Sequence, residues 1–171
     1  MRKPLTLTRS GWWLTHCMAV GLAACALGAQ AQRLVDDPDW KETEMPTPPA
    51  FSQDHLVAVD MPPYVSLKFG VDPATVAITA DGIVRYVMVA TNPSGSVNAM
   101  YEGIRCATGE VKTYARASAS GAWSIVKTPE WRALNDNLPS KHAIAFARQA
   151  ACDGRATAAS SAADIIRALK K

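Results

Sequence analysis

Six side chains in the middle of this chain share one chemistry. Arg85, Tyr101, Arg105, Lys112, Tyr114 and Arg116 are spaced to fall on one face of a β-sheet, with Gly103 between the tyrosines. Cationic groups interleaved with phenols suit an anionic ligand, such as a phosphorylated lipid headgroup or a glycan bearing carboxylates. The same pattern also suits a solvated outer face, or one covered by an acidic segment with Trp40 laid on the tyrosines. In the expected pairing Arg105 faces Lys112, a like-charge contact that something must neutralise. Glu102 is the other residue with chemical potential, a carboxylate on the apolar face. It is either a catalytic acid or base, or a structural group paired with Arg132, Arg148 or the Tyr86 hydroxyl.

Other chemistry is sparse. There is no Gly-x-Ser-x-Gly, His-Glu-x-x-His, phosphate loop or dinucleotide fingerprint, so no cofactor or metal is implied. His55 and His142 are far apart, and His142 reads as a surface residue on the first turn of a helix. Cys106 and Cys152 lack the spacing of a redox pair or metal site, and one disulfide is the simplest use of them in an oxidising compartment. Such a bridge closes a long loop and stabilises by roughly 4 kcal/mol in the chain-entropy model.

The elements that would position these groups follow from periodicity. From His55 to Lys127, β-prone runs are cut by Asp72-Pro73, Asp81-Gly82, Asn92-Pro93-Ser94-Gly95, Thr108-Gly109 and Ser120-Gly121, the text of an antiparallel meander. Pairing across 92–96 sets Val84 opposite Ile104, Tyr86 opposite Glu102 and Met88 opposite Met100. Val111, Thr113 and Ala115 join that apolar face. Three helices are expected to follow. Thr128 and Pro129 would start the first, with Trp131 and Leu134 on it. Ser140 would cap the second, with Ala143, Phe146, Ala147 and Ala150 on one side. Ser161 and Asp164 would cap the last, with Ile165, Ile166 and Leu169 as its apolar stripe. The expected fold is therefore α+β, an antiparallel meander with C-terminal helices packed on one face.

The N-terminal third reads differently. Arg2, Lys3 and Arg9, an apolar run from Cys17 to Leu27, and Ala29-Gln30-Ala31 are the ordered parts of a signal peptide over residues 1–31. The run is shorter than the about 20 residues a membrane span needs. Cleavage after Ala31 would release a soluble periplasmic protein starting at Gln32. Leu22-Ala23-Ala24-Cys25 resembles a lipobox, and lipidation at Cys25 would instead tether the protein to the outer membrane. Residues 32–53 form a polar, Pro-rich arm and 54–171 a single domain. The whole chain has 18 basic and 15 acidic residues, and removing Arg2, Lys3 and Arg9 leaves the two in balance. A nucleic-acid partner therefore has no electrostatic support.

Phe69-Gly70-Val71-Asp72-Pro73, Ala80-Asp81-Gly82-Ile83-Val84-Arg85-Tyr86, Tyr101-Glu102-Gly103-Ile104-Arg105-Cys106 and Lys112-Thr113-Tyr114-Ala115 resemble the cryptic neisserial protein-like family. Gly121-Ala122-Trp123-Ser124, Glu130-Trp131-Arg132 and Trp40-Lys41-Glu42 extend the likeness across roughly 40–134, and Cys152 matches beyond it. The resemblance implies a periplasmic or lipoprotein-like envelope protein of Gram-negative bacteria, strengthens the case for Cys25, and supplies no catalytic residues. The expected role is non-enzymatic, binding an anionic envelope ligand or an envelope protein on the basic-aromatic face. The alternatives are a small hydrolase using Glu102 and a lipidated assembly component. A concave pocket containing Glu102 with a second polar group in reach would favour the enzyme, and an open basic-aromatic face the binding protein.

Overall fold

In the computed structural model the chain is described over residues 39–43, 46–118, 120–136 and 140–171. The expected signal peptide, Cys25 and the first part of the arm lie outside these residues.

Long strands alternate with tight turns because the sequence alternates β-branched or aromatic residues with Gly and Asn at the corners. β1 (Val57–Val59), β2 (Lys68–Val71), β3 (Ala77–Ile78), β4 (Ile83–Thr91), β5 (Val97–Arg105), β6 (Glu110–Ser118), β7 (Trp123–Ile125) and β8 (Arg132–Ala133) make one antiparallel sheet. Its order is β1-β2-β4-β5-β6-β7, with β3 also on β4 and β8 also on β6. The β4–β5 hairpin has the expected register, with Val84 opposite Ile104, Tyr86 opposite Glu102 and Met88 opposite Met100. Gly95 closes it at a φ of 86°, where a side chain would be strained.

β5 and β6 pair two residues away from the expected register. Arg105 lies opposite Glu110 and Lys112 opposite Gly103, so the like-charge pair does not form. A shift of two keeps each side chain on its face. A bulge then changes the faces: Glu102 pairs with Thr113 but Tyr101 pairs with Ala115, which leaves Tyr114 as the extra residue. Beyond the bulge Ala115 packs with Tyr101 and Tyr114, on the face opposite to the expected one. Arg116 now pairs with Met100 and emerges on the helix side, away from the other basic residues.

The helix side holds the main core, where Val71, Val84, Met88, Ile104, Phe146 and Ile165 are all fully enclosed. α1 (His142–Phe146) continues as a π-helical turn over Ala147–Ala151, and α2 (Ala162–Leu169) follows a hairpin of β9 (Cys152–Asp153) and β10 (Ala156–Thr157). Ala143, Phe146, Ala147 and Ala150 face the sheet as their spacing requires, and Ser161 accepts from the Asp164 N–H at the start of α2. The expected helix at Thr128 does not form. Arg132 and Ala133 pair with β6 there, because the edge of β6 offers a ladder that a short local helix cannot match. Ser140 caps nothing: Lys141 is the N-cap of α1, without a side-chain bond.

Cys106 and Cys152 are bonded across 46 residues, joining the end of β5 to the end of the helical segment. Replacing both by Ser should lower unfolding free energy by about 4 kcal/mol. Urea unfolding of the oxidised protein beside the double variant measures it, and a difference under about 1 kcal/mol would show that the loop is already restrained without the bridge.

Candidate functional site

Glu102 sits mid-strand on the helix side, 3% exposed. Three donors from three elements meet its carboxylate. The Tyr86 hydroxyl on β4 donates to Oε2 at 2.9 Å, and the Thr113 hydroxyl on β6 donates to Oε1 at 3.1 Å. His142 Nε2 lies 2.8 Å from Oε2. Burial alone would raise the Glu102 pKa, but His142, Tyr86 and Thr113 together hold it below its ordinary value of 4.5. The partners expected from sequence were Arg132, Arg148 or Tyr86, and only Tyr86 is correct. Arg132 instead binds Asp136 at 2.8 Å.

His142 is therefore no surface residue. It is 6% exposed, its ring stacks on Phe69 at 5.1 Å, and its Nδ1 lies 2.7 Å from the Ser140 hydroxyl. The spacing did carry the signal, since His142 precedes the buried Phe146 by four residues and Ala150 by eight. Ser140, His142 and Glu102 open onto a cleft of about 390 Å³, with Arg116 and Arg132 also on its walls. Val126, Thr128, Pro129 and Glu130 also line it, as do Met100, Val111 and Thr113.

The opposite face brings together Arg85, Tyr101, Arg105, Lys112 and Tyr114, though not Arg116, and the arm lies over it. Glu42 accepts from Arg85 at 3.2 Å, Lys112 at 2.8 Å and the Tyr114 hydroxyl at 2.6 Å. Burial and the neighbouring Glu42 carboxylate raise the Tyr114 pKa far above the usual phenol value. Trp40 stacks on Arg105 at 3.7 Å rather than on the tyrosines, and its indole N–H donates to the Asp81 carbonyl at 3.1 Å. The Asp81 side chain accepts from the Thr43 N–H and hydroxyl, so the Asp81-Gly82 turn anchors the arm. Further along, Trp123 donates to the Pro49 carbonyl at 2.9 Å, and Phe51 packs on the same small core. The expected acidic cover is present, with Glu42 as the residue that supplies the charge and Arg105 rather than a tyrosine beneath Trp40. The clue was a face needing negative charge preceded by a segment that supplies it.

Gly103 permits this arrangement, since a Cβ there would come within 2.7 Å of the Tyr114 hydroxyl and 2.8 Å of Ile83. The Tyr-Glu-Gly-Ile-Arg-Cys run thus holds Glu102 for one face, Gly103 for the close approach on the other, and Cys106 for the bridge. A family model matches residues 35–170. The chain belongs to the CNP1-like family. No match was found among curated proteins or among solved structures. In this CNP1-like chain the disulfide is consistent with an extracytoplasmic, oxidising location. Among the described residues no group of three His, Cys, Asp or Glu is placed to hold a metal, and no helix is long and apolar enough to cross a membrane.

Two outcomes follow. Glu102→Gln should cost about 3 kcal/mol at pH 7, because it strands buried donors. The Glu102 pKa is lowered by folding, so its stabilisation is present above the ordinary value of 4.5 and lost as pH falls through the lower folded value. The gap between wild type and variant in denaturant melts should therefore narrow in acid. Glu42→Ala leaves Arg85 and Lys112 without the carboxylate between them. Tryptic cleavage after Lys41 should then accelerate about tenfold or more, if local opening governs it.

Proposed function

We propose that this protein is an exported envelope protein that takes a small anionic ligand in the cleft beside Glu102 and His142. The observation that carries the reading is the placement of Arg116 and Arg132, the latter also paired with Asp136, in the lining of a cleft shared with Glu130 and with the hydrogen-bonded Glu102–His142 cluster. Arginines lining a preformed concavity suit a phosphate or carboxylate, and a polar cluster already held by hydrogen bonds needs no rearrangement to receive one. The basic-aromatic face fits a different task. With Glu42 seated between Arg85, Lys112 and Tyr114, it serves the arm first, and an external anion would compete with a tethered carboxylate at high effective concentration.

Location is part of the proposal. The charged start, short apolar run and Ala29-Gln30-Ala31 support export to the periplasm, and Cys25 supports the lipidated alternative. Intact mass of the protein from its native host separates the two, as a chain starting at Gln32 or an acylated chain starting at Cys25.

The binding test uses glycerol 3-phosphate and N-acetylmuramate as the simplest phosphate and carboxylate probes. Either probe, titrated into isotope-labelled protein, should shift the NMR signals of cleft residues. Arg116→Ala combined with Arg132→Ala should weaken that binding about tenfold or more. Shifts centred on Arg85, Lys112 and Tyr114 would move the site to the arm face. No shifts with either probe would count against an anionic ligand.

A further inference from the structure

The polar cluster does more than line the cleft. Glu102 accepts from the Tyr86 and Thr113 hydroxyls, and its lowered pKa keeps it an acceptor near neutral pH. The contact with His142 at 2.8 Å therefore requires the proton on Nε2. When the imidazole is neutral, the form a general base requires, it carries one N–H and Nδ1 is then a bare acceptor. The only polar side chain recorded against Nδ1 among the described residues is the Ser140 hydroxyl at 2.7 Å, which must then donate. Acid, imidazole and hydroxyl are connected in series, with the imidazole reversed relative to the usual arrangement. Stacking on Phe69 holds the ring, and the serine end opens onto the cleft.

We propose that Ser140 is a nucleophile and His142 its general base, making the cleft a hydrolytic site for small esters that carry an anionic group. Glu102 is the positioning residue, setting the tautomer and holding the ring. The substrate class rests on the anionic reading of the cleft, since Arg116 and Arg132 supply the recognition; the nucleophile does not. In the first half-reaction the Ser140 oxygen bonds to the acyl carbon while its proton passes to His142 Nδ1. The ester C–O bond breaks, and the alcohol leaves with that proton. Water then attacks the acyl carbon, giving a proton to Nδ1. The carboxylic acid departs as the acyl–Ser140 bond breaks and the serine oxygen takes the proton back. Arginine side chains on the wall are available to the negative charge that develops on the acyl oxygen. The competing explanation is local: a serine two residues before a histidine can bond its ring merely to orient it, and such a serine is unreactive.

A fluorophosphonate probe separates these accounts. Attack by Ser140 forms an O–P bond and expels fluoride, leaving a permanent mass increment. The exported, disulfide-bonded protein should gain one adduct, mapped to Ser140, about 100-fold faster than the same protein in denaturant. Ser140→Ala should lose the adduct and any hydrolysis of p-nitrophenyl esters. Glu102→Gln with its circular dichroism unchanged should slow labelling about 100-fold, which a purely structural carboxylate would not do once the fold is retained. Absence of adduct on the folded protein, an adduct at another serine, or undiminished ester hydrolysis by Ser140→Ala would each overturn the proposal. Labelling at Ser140 without binding of the anionic probes would keep the nucleophile and sink the anionic substrate class.

Discussion

A carboxylate cannot be taken out of water unless hydrogen bonds replace the water it loses, and in this molecule that requirement organises the interior. Glu102 lies on β5, the strand between the other two long ones. Its replacement partners come from the strand before it, the strand after it, and a helix residue 40 positions later. None of the three is near it in sequence. Satisfying the charge therefore demands that the hairpin, the third long strand and α1 be in place together. The disulfide adds a second tie between the same parties, linking the end of β5 to the end of the helical segment that begins at His142. An apolar residue would fill the space with less risk, but it would not specify which donors must meet there.

The two faces of the sheet solve their electrostatics in opposite ways. On the helix side the lone carboxylate belongs to the sheet, and the neutral or cationic partners are gathered around it. On the arm side the cations belong to the sheet, and the carboxylate is delivered by Glu42 from outside. Without Glu42, Arg85 and Lys112 would lie on either side of the Tyr114 phenol with no carboxylate between them, while Arg105 keeps Glu110 opposite it. The arm is thus a structural element, stitched down at Asp81, at Asp72 and at Trp123.

Much of this was readable in the residues. The β4–β5 register, the apolar face, the Cys106–Cys152 pairing and the capping of α2 followed from alternation, turn residues and spacing. The failures have physical causes. Thr128 and Pro129 carry good helix-start chemistry, but the free edge of β6 won the segment for β8. The meaning of His142 depended on which side of α1 met the sheet, a tertiary fact that the isolated residue does not express. Glu42 was visible as part of an acidic arm, yet its target lies about seventy residues away at Lys112 and Tyr114, beyond the reach of local pattern. The β5–β6 turn was read two residues away from its real pairing, which misplaced the charges but kept the faces as far as Thr113; the bulge beyond it moved Ala115 and Arg116 to the other sides.

The single surplus residue in β6 has an effect on how the chain can change over time. Lys112 and Arg116 are four positions apart, so a regular strand would send both to the same side. The bulge advances the alternation by one step, and the two cations serve different faces. What matters between Thr113 and Arg116 is therefore the count of residues, in the way a phase matters to a wave. Exchanging one side chain for another alters a contact, whereas deleting one residue would return Arg116 to the arm side and empty a wall of the cleft. In this stretch length is under tighter constraint than identity, whereas at the 92–96 turn the positive φ of Gly95 constrains identity as well.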